Sequence, residues 1–253
     1  MIDMRKVTEV AVGVLIDAHK RCLLGSRPEG KPYAGFWEFP GGKLELGETP
    51  HDALVREMKE ELDVDIETSC PWFVLEIDYP HAYVRLHFRR VWTWRGIFRG
   101  LERQSFTWIG KDAELDQYRL LPMVDRVFHR ALLPDIIAVV ADSPKEGLRE
   151  KIIASGAEAI VTTKQYRSQV QDVARELGLL CQEVSPQMIV GASRYELSQD
   201  GGAEIPYVVC RDEGAAQRVL QGQMNAMPVY VPGEAQMLDI ARQNGAHGVC
   251  IWL

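Results

Sequence analysis

The chain has 253 residues, 46% hydrophobic and 26% charged, which is enough apolar material for one large or two ordinary domains. A net charge of −7 provides no basic footprint and argues against duplex nucleic acid as a partner, while a nucleotide stays open because a metal can bring the positive charge. No apolar run approaches the ~18 residues of a membrane span, and five scattered cysteines (Cys22, Cys70, Cys181, Cys210, Cys250) without a CxxC pair suit reduced thiols in a cytoplasmic protein.

In chain order, VTEVAVGVLID and RCLLGSR predict two strands around a turn at Asp17–Lys20. Residues 30–48 read as a glycine-rich loop, and Thr49, Pro50 and Asp52 then mark a helix start by a capping-box-like pair. Leu54, Met58 and Leu62 recur at i+4 as its apolar stripe. YVRLHFRRVWTW alternates as a half-buried strand, SFTWIG is another, and a short helix lies near 122–132. After Pro134 the pattern becomes a repeated βα alternation from DIIAVVAD to GVCIWL, with QMIVGAS among its strands, which implies a mostly parallel sheet. The domain boundary is placed at Leu133–Pro134, so residues 1–133 and 134–253 form separate α/β domains.

The stretch REMKEEL sets Glu57, Glu60 and Glu61 within about a 100° arc of the helix. Glu57 and Glu61 are a repelling i,i+4 pair, and Glu60 and Glu61 sit near the helix C-terminus, where the macrodipole disfavours negative charge. Local stability does not account for the cluster, whereas a hard divalent cation does; a solvated acidic face is the plain alternative.

The wider stretch GKLELGETPHDALVREMKEELDV resembles the Nudix box at every position but one, with Asp63 standing where that family has glycine. The flank GFWEFPGGKLELGET resembles the MutT-type branch. The resemblance implies an α/β/α sandwich with a mixed sheet over the first half. It implies an Mg²⁺-dependent pyrophosphohydrolase, with Mn²⁺ as a substitute, that splits nucleoside triphosphates, often oxidised ones. Glu57, Glu60, Glu61 and the Gly41 carbonyl would hold the metal. Arg56 would orient a glutamate and Glu48 would buttress the loop–helix junction. The general base is Glu57 or Glu61, ahead of Glu102. Arg27, Glu38 and Phe39 align with nucleotide-contacting or bracing positions, although Phe39 suits core packing equally. Leu120 falls where the best-known branch reads an oxidised purine with asparagine, and an aliphatic residue cannot make those hydrogen bonds.

The second half resembles the later βα units of thiamine-phosphate-synthase-like barrels, in MIVGASRYE, AEIPYVVC, MPVYVPG and IARQNGAHGVCI. About 120 residues is short for an eight-fold barrel. A degenerate, non-catalytic barrel-like domain is therefore expected, serving stability, ligand sensing or formation of a homodimer, with a small doubly wound domain as the structural alternative. A nucleotide sensor and a bifunctional protein linked to thiamine phosphates are the competing functions.

Overall fold

The computed structural model describes residues 7–79, 82–101, 104–144, 146–184, 207–221 and 227–253. The chain divides into two compact units, Met1–Leu133 and Pro134–Leu253.

Among the described residues the first unit holds two small sheets. One has the order β4-β1-β6-β5, built from β1 (Val7–Leu15), β4 (Gly41–Lys43), β5 (Cys70–Tyr79) and β6 (Ala82–Val91). It is mixed: β1 runs parallel to β6 and antiparallel to β4. The other is antiparallel, with β2 (Cys22–Ser26) between β3 (Trp37–Glu38) and β7 (Phe106–Ile109). Helix α1 (Pro50–Leu62) and helix α2 (Val124–Ala131) cover opposite faces. The end of β1 is apolar throughout because each alternate residue meets a different helix. Val12 and Val14 join Phe73, Phe88 and Phe128 in one core, while Ala11 and Leu15 join Leu54 and Met58 in the other. Gly13 lets α1 come close, since a Cβ there would lie 2.9 Å from Leu54 Cδ1.

Helix α1 begins as its sequence predicts. Thr49 accepts from the Asp52 amide, Asp52 accepts from the Thr49 amide, and Pro50 occupies the first turn. It ends at Asp63, whose φ of 56° is the left-handed conformation that glycine usually supplies. Two features differ from expectation. Strand β5 is added, its alternation hidden by Pro71 and a register shift between Pro71 and Phe73. The loop-like segment 30–48 also contains β3 and β4, too short and glycine-rich to leave a period-2 signal.

Among the described residues the second unit has six parallel strands in the order β10-β9-β8-β13-β12-β11. These are β8 (Ile136–Val140), β9 (Ala159–Thr163), β10 (Leu180–Val184), β11 (Val208–Val209), β12 (Val229–Pro232) and β13 (Gly248–Trp252). From β8 to β10 and again from β11 to β13, the chain steps in the same direction along the sheet. With right-handed crossovers this puts the helices on one face, as in a barrel, and not on both as in a doubly wound sheet. The first strand also pairs with the last. The Tyr207 hydroxyl, just before β11, donates to Gln182 Oε1 of β10 at 2.9 Å and links the two edge strands. The fold is thus a half-barrel, and the doubly wound alternative is corrected. QMIVGAS and MIVGASRYE lie outside the described residues, as do 203–206 of AEIPYVVC.

Candidate active site

The carboxylate helix packs across β4, and this contact builds the site. Arg56 is its hub. Its Nε and Nη2 donate to the two Glu48 carboxylate oxygens at 2.8 and 2.9 Å. Nη2 also reaches the Lys43 carbonyl at 2.9 Å, while Nη1 donates to Glu57 Oε1 at 2.8 Å and Glu60 Oε2 at 3.2 Å. Bidentate, charge-assisted bonds of this kind fix direction as well as distance. Glu48 accepts in addition from the Glu45 amide at 2.8 Å, which ties the loop to the helix. Hydrogen bonding from Arg56, followed by that from Glu45, holds the Glu48 carboxyl down at about 2. The guanidinium is correspondingly harder to deprotonate, chiefly through its bond to Glu48.

The Glu57 carboxylate lies over Gly42. A Cβ on Gly42 would come within 1.9 Å of it, so only a bare backbone leaves the room. A Cβ on neighbouring Gly41 would sit 2.1 Å from the Ala11 carbonyl oxygen, a clash with the paired strand itself.

A cavity of about 670 Å³ opens beside these groups, lined by Gly41, Gly42, Glu57 and Glu61 on one wall and by Arg27, Glu38 and Phe39 on another. Arg27 Nη1 donates to both Glu38 oxygens at 2.6 and 2.8 Å, and its Nε holds the Pro32 carbonyl at 2.7 Å. Burial pushes the Glu38 carboxyl up against the opposing pull of Arg27. Phe39 is buried, belongs to the core and also lines the cavity.

The expected site residues therefore fall into two sets. Glu57, Glu61, Gly41, Arg27, Glu38 and Phe39 meet at the cavity. Arg56 and Glu48 do not line it; Arg56 ties Glu48 to Glu57, and it also bonds Glu60, whose side chain is 58% exposed against 16% for Glu57. Leu120 does not line the cavity; it bridges to Trp37 and packs against the core, while Leu121, Pro122, Met123 and Val124 form the wall. Trp37, Trp92, Trp94 and Trp108 are not lining residues; Trp37 meets Tyr118 edge to face, Trp92 lies under Arg90, and Trp94 and Trp108 stack on one another. Glu102 lies outside the described residues. Gly42, Lys31 and Gln104 join the lining without having been expected there. The adjacent glycines at 41 and 42 were the one available signal; nothing local marks Gln104.

Among the described residues, no three His, Cys, Asp or Glu side chains form a ready cage for a metal. The donors present nevertheless suit Mg²⁺. They are hard oxygens, two carboxylates one turn apart facing a cavity, and Mg²⁺ commonly takes one or two carboxylates with the rest of its shell from water and substrate phosphate. The pocket over Gly42 that keeps the Glu57 carboxylate in place fits the same purpose.

The NUDIX domain family model matches residues 7–135, half of the chain. The chain belongs to the NUDIX family. It is a Nudix hydrolase, similar over 95 residues to an 8-oxo-dGTP diphosphatase of Proteus vulgaris at 39% identity, with 38% of this chain and 84% of the relative covered. It is also similar to a CTP pyrophosphohydrolase of Escherichia coli at 33% identity, covering 46% of this chain and 85% of that one. Among solved structures, a MutT from a study of Aliivibrio salmonicida and Vibrio cholerae aligns at 30% identity with a TM-score of 0.43, over 50% of this chain and 98% of that one. No described helix is long and apolar enough to cross a membrane.

Proposed function

We propose that this Nudix hydrolase is an Mg²⁺-dependent nucleoside triphosphate pyrophosphohydrolase, with Mn²⁺ able to substitute, that acts on oxidised or non-standard nucleotides. The observation that carries this reading is Glu57, locked by Arg56, sharing a cavity wall with Glu61. Mg²⁺, when bound, supplies the charge that offsets a triphosphate and makes water more acidic. Glu57, Glu61 and the Gly41 carbonyl would hold it, with Glu60 at the outer edge. Arg56 keeps Glu57 from turning away, and Glu48 keeps Arg56 in place. Glu57 or Glu61 would accept the proton of the attacking water, giving nucleoside monophosphate and pyrophosphate. Arg27 and Glu38 brace the nucleoside side of the cavity, and Phe39 supplies an aromatic face.

The Leu121–Val124 wall is apolar, so its side chains offer nothing like the amide reader of an oxidised purine. A preference there would come from shape and backbone groups. The second unit would serve stability, ligand sensing or a homodimer; its likeness to thiamine-phosphate synthases rests on segments partly outside the described residues. Sedimentation of the full chain tests the dimer.

The deciding experiment is pyrophosphate release by the purified chain with Mg²⁺ across a panel of oxidised and normal dGTP, dCTP and CTP. Release from at least one triphosphate is expected. Tight nucleotide binding with no pyrophosphate from any would replace the enzyme reading with a nucleotide sensor.

A further inference from the structure

The last turn of a helix leaves its carbonyls without intrahelical partners and is the part most prone to fray. Glu61 is the penultimate residue of α1, so its carboxylate stands on the least secure turn of the helix. The chain returns over this end after β6. The Leu101 amide donates to the Glu61 carbonyl at 2.9 Å, and the Arg99 amide donates to the Leu62 carbonyl at 2.9 Å. Gln104 Nε2 adds a side-chain bond to the same Glu61 carbonyl at 3.1 Å, from a residue that also lines the cavity. Gly100 makes this approach feasible, because a Cβ there would lie 2.4 Å from the Gln104 carbonyl oxygen.

We propose that Gln104 is a positioning residue for the metal site, holding the Glu61 turn by a bond to its backbone and acting neither as a metal ligand nor as a substrate contact. The proposal rests on the metal-dependent reading above. A carboxylate serves in catalysis only if its backbone is held to about half an ångström. Arg56 provides that restraint for Glu57 through its side chain, and Arg99, Leu101 and Gln104 provide it for the Glu61 turn through its main-chain carbonyls.

The test uses the full chain and Mn²⁺ alone, with free Mn²⁺ followed by electron paramagnetic resonance beside thermal midpoints and nucleotide KM. Gln104→Met keeps the length and loses the donor. It is expected to weaken Mn²⁺ binding by about tenfold, the lower end of what supporting partners of metal ligands cost. The midpoint should stay within about 2 °C, as for other substitutions outside the core. Gln104→Glu discriminates further. A carboxylate cannot donate to the Glu61 carbonyl, so positioning predicts weaker Mn²⁺ binding, whereas a ligand at 104 would bind Mn²⁺ more tightly. Tighter binding by Gln104→Glu, unchanged Mn²⁺ affinity in Gln104→Met, a rise confined to nucleotide KM, or an affinity loss that merely tracks a large fall in midpoint would each overturn the proposal. If wild-type protein binds no Mn²⁺ and Glu61→Gln changes nothing, the metal reading itself fails and this proposal with it.

Discussion

A Cβ placed on Gly42 would lie 1.9 Å from the carboxylate of Glu57, which Arg56 holds from the other side at 2.8 Å. The clash is with the far end of a side chain, so the fold can absorb it, but the carboxylate must move from the place where it meets Arg56. Gly42→Ala is therefore expected to keep its thermal midpoint while losing on the order of 100-fold in kcat, the scale of an ångström's misplacement. Steady-state kinetics and a melting curve on one preparation check both halves. An active Gly42→Ala enzyme would mean that the Glu57 position is not used.

The two cavity carboxylates should matter far more for turnover than for stability. Glu57 is bonded to Arg56. Removing its charge takes away a favourable contact together with the repulsion from Glu61, so Glu57→Gln should not gain stability. Glu61→Gln relieves the same i,i+4 repulsion, worth about 0.2–0.5 kcal/mol, and also gives up the charge that the partners of Glu61 meet, so it too should melt close to wild type without divalent metal. Both should lose kcat by a factor on the order of 100 or more. Near-normal turnover in both would remove them from the chemistry.

Glu48 adds a pH dependence whose sign follows from its environment. Its carboxyl falls from 4.5 to about 2 because Arg56, and then the Glu45 amide, hydrogen-bond the charged form. Between these values the unfolded chain takes up a proton that the folded chain does not. The stabilisation from this group is complete above about 4.5 and disappears as the pH falls towards 2. Thermal midpoints of wild type and Glu48→Gln should therefore converge over that interval. A gap that stays constant from pH 5 down to 2.5 would show that the Arg56–Glu48 pairing does not persist in solution.

The parts legible in the sequence are those that leave a local mark. The start of α1 is written in Thr49, Pro50 and Asp52, its buried stripe in Leu54 and Met58, and the parallel half-barrel in the βα alternation after Pro134. Asp63 was readable as well, because few side chains other than glycine tolerate its φ of 56°. What escaped depends on approach between distant segments. The clearance of Gly42 beneath Glu57 and the reach of Gln104 across 43 positions to Glu61 have no periodicity. The cavity wall at Leu121–Val124 lies one residue beyond the expected Leu120, which instead bridges to Trp37. Strand β5 was masked by its proline and register shift.

Gly248 gives the opposite outcome from Gly42 for the same change. A Cβ there would sit 2.0 Å from the Asp135 carbonyl oxygen and 2.8 Å from its carbon, and these backbone atoms cannot rotate away. Residue 248 opens β13, which pairs with β8 and closes the run from last strand to first. Gly248→Ala must therefore shift a strand, and overpacking of this kind costs about 1–3 kcal/mol. The two units are separately compact, and among the described residues every one lining the candidate cavity belongs to the first. Urea denaturation should show an earlier transition for the second unit. Nucleotide turnover, measured well below that transition, should match wild type. If Gly248→Ala lost turnover while the second unit remained folded, the half-barrel would have to take part in hydrolysis, and a catalytic site confined to the Nudix unit would be the wrong description.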